Sequence, residues 1–209
     1  MSTLAQHLKL LASCRACPNV IGTPVIGAVA DAKVLLIGQA PGPREVVDKR
    51  PFAFTAGQRL FRWFAESAGV TEDQFRARVY MGAVIRCFPG RDPKAGGDRV
   101  PDESEMANCG AHLDREIAIL EPELVIAVGT LAALQLVGKS QLKDVVGLVH
   151  RATRAGRSFD VIVLPHPSGR STWTNKPENA ALLGRSLELI REHRAFRHTF
   201  SRRAAIAAQ

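Results

Sequence analysis

Lys33-Val34-Leu35-Leu36-Ile37-Gly38 runs without a break into Gln39-Ala40-Pro41-Gly42. A short apolar run closed by a Pro/Gly turn reads as a buried strand whose carboxyl end opens into a loop. Residues 79–85, 124–129 and 159–164 have the same character. Their hydrophobicity is continuous rather than alternating, which indicates burial on both faces and therefore parallel strands covered by helices. Helical patterns stand between them at 58–68, in a piece opened by the capping box Thr71-x-x-Gln74, at 103–120, and at 131–137 behind Thr130 as N-cap. A helix over 3–13 precedes the first strand and a long one over 177–196 closes the chain. The expectation is an α/β fold, a three-layer α/β/α sandwich around a central four-stranded parallel sheet. Residues 1–209 read as one domain, with 201–209 a frayed tail. Ligands of such sheets collect outside the carboxyl ends of the strands. The loop at 38–42 and Pro165-His166-Pro167-Ser168-Gly169 after the last strand are therefore expected to share one site.

Composition narrows the setting. The chain has 209 residues, 46% of them hydrophobic and 23% charged, as in a soluble globular protein. No apolar run approaches the ~20 residues of a membrane span, and the N-terminus lacks a basic region followed by an apolar stretch. A cytoplasmic monomer with no membrane partner is expected. The formal charge is +8, and nearly all of the excess lies in residues 150–209, where eleven Lys/Arg face four Asp/Glu. Such a surface recruits polyanions by counterion release, and nucleic acid is the natural partner.

Four cysteines in a reducing compartment are metal ligands or free thiols rather than disulfides. Cys14 and Cys17 form a close pair, whereas Cys87 and Cys109 stand far apart. A zinc ribbon would show two tight pairs, so four thiolates suit an iron–sulfur cluster better, with zinc and free thiols as alternatives. His112 and His150 lie in no motif and read as structural. Gly138-Lys139-Ser140 lacks the glycine spacing of a phosphate-binding loop, which disfavours a nucleotide hydrolase.

Taken together, Gly38-Gln39-Ala40-Pro41-Gly42, Glu45, Pro51-Phe52, Ala56-Gly57, the Val79-Tyr80 strand running into Cys87, and His166-Pro167-Ser168-Gly169-Arg170 resemble the uracil-DNA glycosylase superfamily. The resemblance spans about residues 14–189 and is closest to family 4, the iron–sulfur enzymes. It implies a 4Fe–4S cluster on Cys14, Cys17, Cys87 and Cys109, and DNA containing uracil or other deaminated bases as substrate. It also implies that the base stacks on Phe52, an aromatic that otherwise anchors a loop, with Ala40 and Ala83 beside it. His166 would stabilise charge on the departing base. Pro41, Gly42, Ser168, Gly169 and Arg170 would meet the DNA, the last three as a loop pressed into the duplex. Phe54 reads as a core residue.

The chain departs from the family pattern at two positions. Gln39 replaces a glutamate, and an amide can orient water but cannot take its proton. Ala83 replaces the base-reading asparagine, which should relax selectivity. Asp48 and Glu45 are nearby carboxylates that would activate water or stabilise the sugar cation, or else are solvated loop charges. The expected activity is monofunctional excision of uracil to leave an abasic site. The rival is a damaged-DNA-binding protein that keeps the fold and cluster without catalysis.

Overall fold

A run of consecutive apolar residues buries every side chain only in a sheet covered on both faces. The computed structural model describes residues 3–201 other than Ala28, Ala95, Ser140 and Arg170. In it β1 (Val34–Gly38), β2 (Tyr80–Ala83) and β3 (Leu124–Val128) are buried along their whole length. With β4 (Val149–Arg154) and β5 (Arg157–Leu164) they form one sheet in the order β2-β1-β3-β5-β4. β2, β1, β3 and β5 are parallel, as expected. β4 is antiparallel to β5, which makes five strands rather than four.

The extra strand escaped the sequence reading for a physical reason. An edge strand has a neighbour on one side only, and in β4 Ala152 alone is buried, so no apolar run marks it. The available signal was the turn: Ala155 and Gly156 have φ of 52° and 73°, the geometry of a two-residue hairpin that favours X-Gly. Arg151 and its cross-strand neighbour Asp160 are paired at 2.8 Å.

Alternate strand residues feed two cores. Leu35, Ile37, Val125 and Ala127 face α1 (Leu4–Ala12), α5 (Glu103–Leu120) and α6 (Thr130–Val137). Val34, Leu36, Leu124 and Ile126 face α3 (Thr55–Ala68), α4 (Glu72–Arg78), α8 (Pro177–Glu192) and α9 (Arg194–Phe200). Two short helices, α2 (Pro43–Asp48) and α7 (Leu142–Val145), complete the set. The box at Thr71 and Gln74 is reciprocated at 3.3 and 3.0 Å. Gly129 is the N-cap of α6, and Thr130 is its first residue. The closing helix is two helices: His193 leaves helical geometry and its Nδ1 accepts the Ala195 N–H at 3.2 Å, which starts α9. Among the described residues no helix is long and apolar enough to cross a membrane. The expected tail falls almost wholly at 202–209, outside the described residues.

Between β2 and α5 lies a buried charge. Arg86 is 1% exposed and forms an ion pair with Glu116, itself fully buried. Tyr80 and His7 close the pocket, with His7 Nε2 3.7 Å from the Glu116 carboxylate. Burial alone would raise the Glu116 pKa, but Arg86, helped by His7 and Tyr80, outweighs it and holds the group below its ordinary value. Removing one partner strands the other charge in low dielectric. Glu116→Ala is therefore expected to cost about 3–5 kcal/mol, read as a lower urea midpoint at unchanged slope. A loss no larger than that of an exposed pair would refute the account.

Candidate functional site

The carboxyl ends of β1, β2 and β5 open onto a cavity of about 570 Å³. Backbone pairing continues past the strand ends: Val84 N–H donates to Gly38 at 2.9 Å and Ile85 N–H to Gln39 at 3.2 Å. Gln39 and Ala40 are thereby pinned at the cavity wall.

Phe52 is the most constrained residue there. Its φ is 50°, in the left-handed region that a bulky residue rarely adopts. Arg76 compensates: its guanidinium donates to the Pro51 and Phe52 carbonyls, each at 2.8 Å, while its Nε donates to Glu72 at 2.8 Å. The same guanidinium lies 4.6 Å from the Phe61 ring centroid. Two glycines make room. A Cβ on Gly57 would fall 1.9 Å from the Phe52 carbonyl, and one on Gly38 2.9 Å from its ring. The Ala56-Gly57 helix start and the Gly38 turn, far apart in sequence, thus serve one aromatic ring.

His166 follows β5 and faces the same cavity. Its Nδ1 accepts the Ser168 N–H at 3.3 Å, so the neutral ring carries its proton on Nε2. Arg59 of α3 donates to the Ser168 carbonyl at 3.1 Å and holds that loop. The side chain reaches solvent at the cavity mouth, yet the surrounding protein desolvates it enough to lower its pKa. The opposing influence is Asp98, whose charge pulls the value back up.

Asp98 was not expected in the site. It comes from the Gly/Pro-rich excursion between Cys87 and Cys109, and its carboxylate stands 3.4 Å from where a Gly42 Cβ would be. Nothing in its spacing marks it, because the approach depends on how the loop folds back, with Arg91 bridged to Asp98. Of the expected residues, Gln39, Ala40, Pro41 and Gly42 line the cavity together with Phe52, Ala83, His166 and Ser168. Asp48 does not; it is exposed at the end of α2. Glu45 does, but its two oxygens accept the Gly42 and Ala53 N–H groups at 3.1 and 3.2 Å, which tie the loop. Gly169 is exposed outside the lining, and Arg170 lies outside the described residues. Phe54 is not a core residue: it is 49% exposed at the rim.

Behind the cavity, Cys14, Cys17, Cys87 and Cys109 all line a second space of about 110 Å³. The Arg86 N–H donates to Cys109 Sγ at 3.3 Å, and Asn108 approaches Cys17 Sγ at 3.7 Å. Burial first, then the crowding of the other three thiols, pushes the Cys87 pKa up to about 11. Among the described residues no three His, Cys, Asp or Glu side chains gather tightly enough for a single metal ion.

A family model described as the uracil DNA glycosylase superfamily matches residues 24–189. The chain belongs to that superfamily. It is 27% identical over 176 residues to a type-4 uracil-DNA glycosylase of Archaeoglobus fulgidus, covering 80% of this chain and 83% of that one. It is 32% identical over 135 residues to the type-4 enzyme of Thermotoga maritima, 63% of each chain. With the type-4 enzyme of Sulfurisphaera tokodaii it shares 33% identity over 98 residues, which is 47% of this chain and only 40% of the relative.

In this member of the superfamily the wall opposite Gly38 is Ala83, its registered partner across the β1–β2 pair, and it offers no side-chain hydrogen bond. The polar side chains that line the cavity include His166, Asp98 and Gln39, beside Arg44, Glu45, Thr55, Arg91 and Ser168. Since the Asp98 carboxylate favours the imidazolium, Asp98→Asn should move the His166 pKa further down. Titration of the imidazole by NMR measures this. An unmoved or raised value would detach Asp98 from the site.

Proposed function

We propose that this chain, acting as one domain over 1–209 and as a monomer in the cytoplasm, excises uracil from DNA by hydrolysing its N-glycosidic bond. The observation that carries the reading is His166, with its proton fixed on Nε2, facing the cavity that Phe52 also lines. Excision needs the nucleotide out of the stack, the base held flat, and a donor at the position where negative charge develops. The Phe52 ring provides the flat surface. Nε2–H meets O2 as the bond breaks and charge passes to the base; the lowered pKa favours the neutral ring, whose Nδ1 is held by Ser168 and whose Nε2–H is left to donate.

The sugar is left as an oxocarbenium-like cation that water must attack. Asp98 is the carboxylate this reading assigns to that step, in place of Asp48. Gln39 orients the water, and Glu45 stays structural. Ala40 and Ala83 bound the base, while Pro41, Gly42, Ser168, Gly169 and Arg170 meet the DNA. Without an amide at position 83, selectivity rests on shape and on His166, and other deaminated bases are tolerated more readily.

Cys14, Cys17, Cys87 and Cys109 hold a 4Fe–4S cluster in this reading. The support is the donor set: four thiols around one space and an N–H aimed at one sulfur. One zinc ion would bring the sulfurs to roughly 4 Å from one another at Zn–S distances of about 2.3 Å, and among the described residues no three thiols gather for a single ion. Held by these four thiols, such a cluster would tie the segment after α1 to the loop after β2. Protein purified anaerobically should be brown, with about four irons per chain. Stoichiometric zinc without iron would refute the assignment.

A uracil-containing duplex, alkaline cleavage and a gel test the activity. His166→Ala should lower single-turnover excision by roughly 10²–10³-fold with product affinity little changed. Asp98→Asn should cost more than Gln39→Ala, and Gln39→Glu should raise the rate. Binding of damaged DNA without formation of abasic sites would leave the non-catalytic reading, which Gln39 and Ala83 favour.

A further inference from the structure

Phe54 stands at a position that neither packing nor helix chemistry explains. It is the N-cap of α3, where Ser, Thr, Asp or Asn would satisfy a free N–H of the first turn. Phenylalanine makes no such bond, and the cap backbone works without it, since the Phe54 carbonyl accepts the Gln58 N–H at 3.1 Å. The side chain is also 49% exposed, so it contributes little to the core. An aromatic that gives up both a cap and burial is available for contact with something else.

Its surroundings indicate what that is. Phe54 lies on the rim of the cavity, two residues from Phe52, and the Arg44 guanidinium stands 5.7 Å from its ring centroid. Arg44 is itself exposed on the same rim. An aromatic face beside an exposed cation is the pairing with which proteins hold single-stranded nucleic acid: bases stack on the ring and phosphates meet the charge. We propose that Phe54 and Arg44 form a second stacking position, which takes the DNA base next to the flipped nucleotide while Arg44 contacts a phosphate of the same strand. This rests on the glycosylase reading of the cavity. Strand entry at this rim explains why the two aromatics lie so close together, one lining the cavity and one at its edge.

The test reads affinity rather than cleavage. The probe is a single-stranded oligonucleotide carrying 2′-fluoro-2′-deoxyuridine, whose fluorine disfavours the cationic sugar and so blocks excision. Its binding is followed by fluorescence anisotropy, beside a second oligonucleotide in which both flanking nucleotides are tetrahydrofuran spacers without bases. Phe54→Ser should weaken binding to the first probe by roughly 5- to 150-fold, the range for losing one stacked base. On the spacer probe Phe54→Ser and the unaltered protein should bind alike. Serine is a favoured N-cap, so the melting temperature should hold or rise, which separates the effect from damage to the fold. Phe54→Trp should retain binding, and Arg44→Gln should flatten the salt dependence of affinity by nearly one ion. Equal affinity of Phe54→Ser for the flanked probe would overturn the proposal. So would a loss that persists in full on the spacer probe, because Phe54 would then be shaping the cavity itself. If the unaltered protein neither excises uracil nor binds the probe, the glycosylase reading fails first and this one falls with it.

Discussion

The ion pair between Arg86 and Glu116 holds together parts of the molecule that are distant in sequence. Arg86 follows β2, and its side chain reaches the buried carboxylate of α5. Its N–H donates to Cys109, and its carbonyl accepts from Val25 at 2.7 Å, which draws in the segment that follows the first cysteine pair. The guanidinium also lies against Gly82, where a Cβ would come within 2.2 Å, next to Ala83 at the cavity wall. A buried charge of this kind has no good alternative partner, so its geometry is narrow. Arg86 consequently joins the cysteine space on one side to the cavity wall on the other.

The same economy of placement governs the cavity. Phe52 adopts a backbone conformation that costs energy, and the surrounding contacts offset it: two carbonyls are held by Arg76, and two glycines clear the space around the ring. His166 depends on a similar arrangement, because Ser168 sets its tautomer and Arg59 holds Ser168. In both cases a residue facing the cavity is oriented by an arginine on a helix behind it. Precision at the site comes from α3 and α4 as much as from the loops that carry the side chains.

How much of this could be read in the sequence follows from the range of each interaction. The four buried strands and the helix over 103–120 were legible because burial on both faces and local capping leave their mark on consecutive residues. β4 was not, since only Ala152 of this edge strand is buried and its partner lies across a turn. The cavity was legible where short motifs carry it, at 38–42, Phe52 and His166. Asp98, Arg59 and Arg76 act over long sequence separations and carry no spacing signal. Asp48 is close to the first motif in sequence, but α2 turns it outward.

The departures in the motifs are connected by this geometry. A glutamate at position 39 would stand as a third carboxylate in a cavity that Glu45 and Asp98 already line, and neighbouring like charges raise a carboxylate's pKa and make it the stronger base. Gln39 forgoes that base while keeping a side chain able to hold water. Alanine at 83 leaves that wall of the cavity apolar, and in the proposed reading a base is met by its flat face and by one imidazole. A site built in this way gains from additional stacking outside the cavity, and the rim aromatic at Phe54 stands where that additional contact would be made.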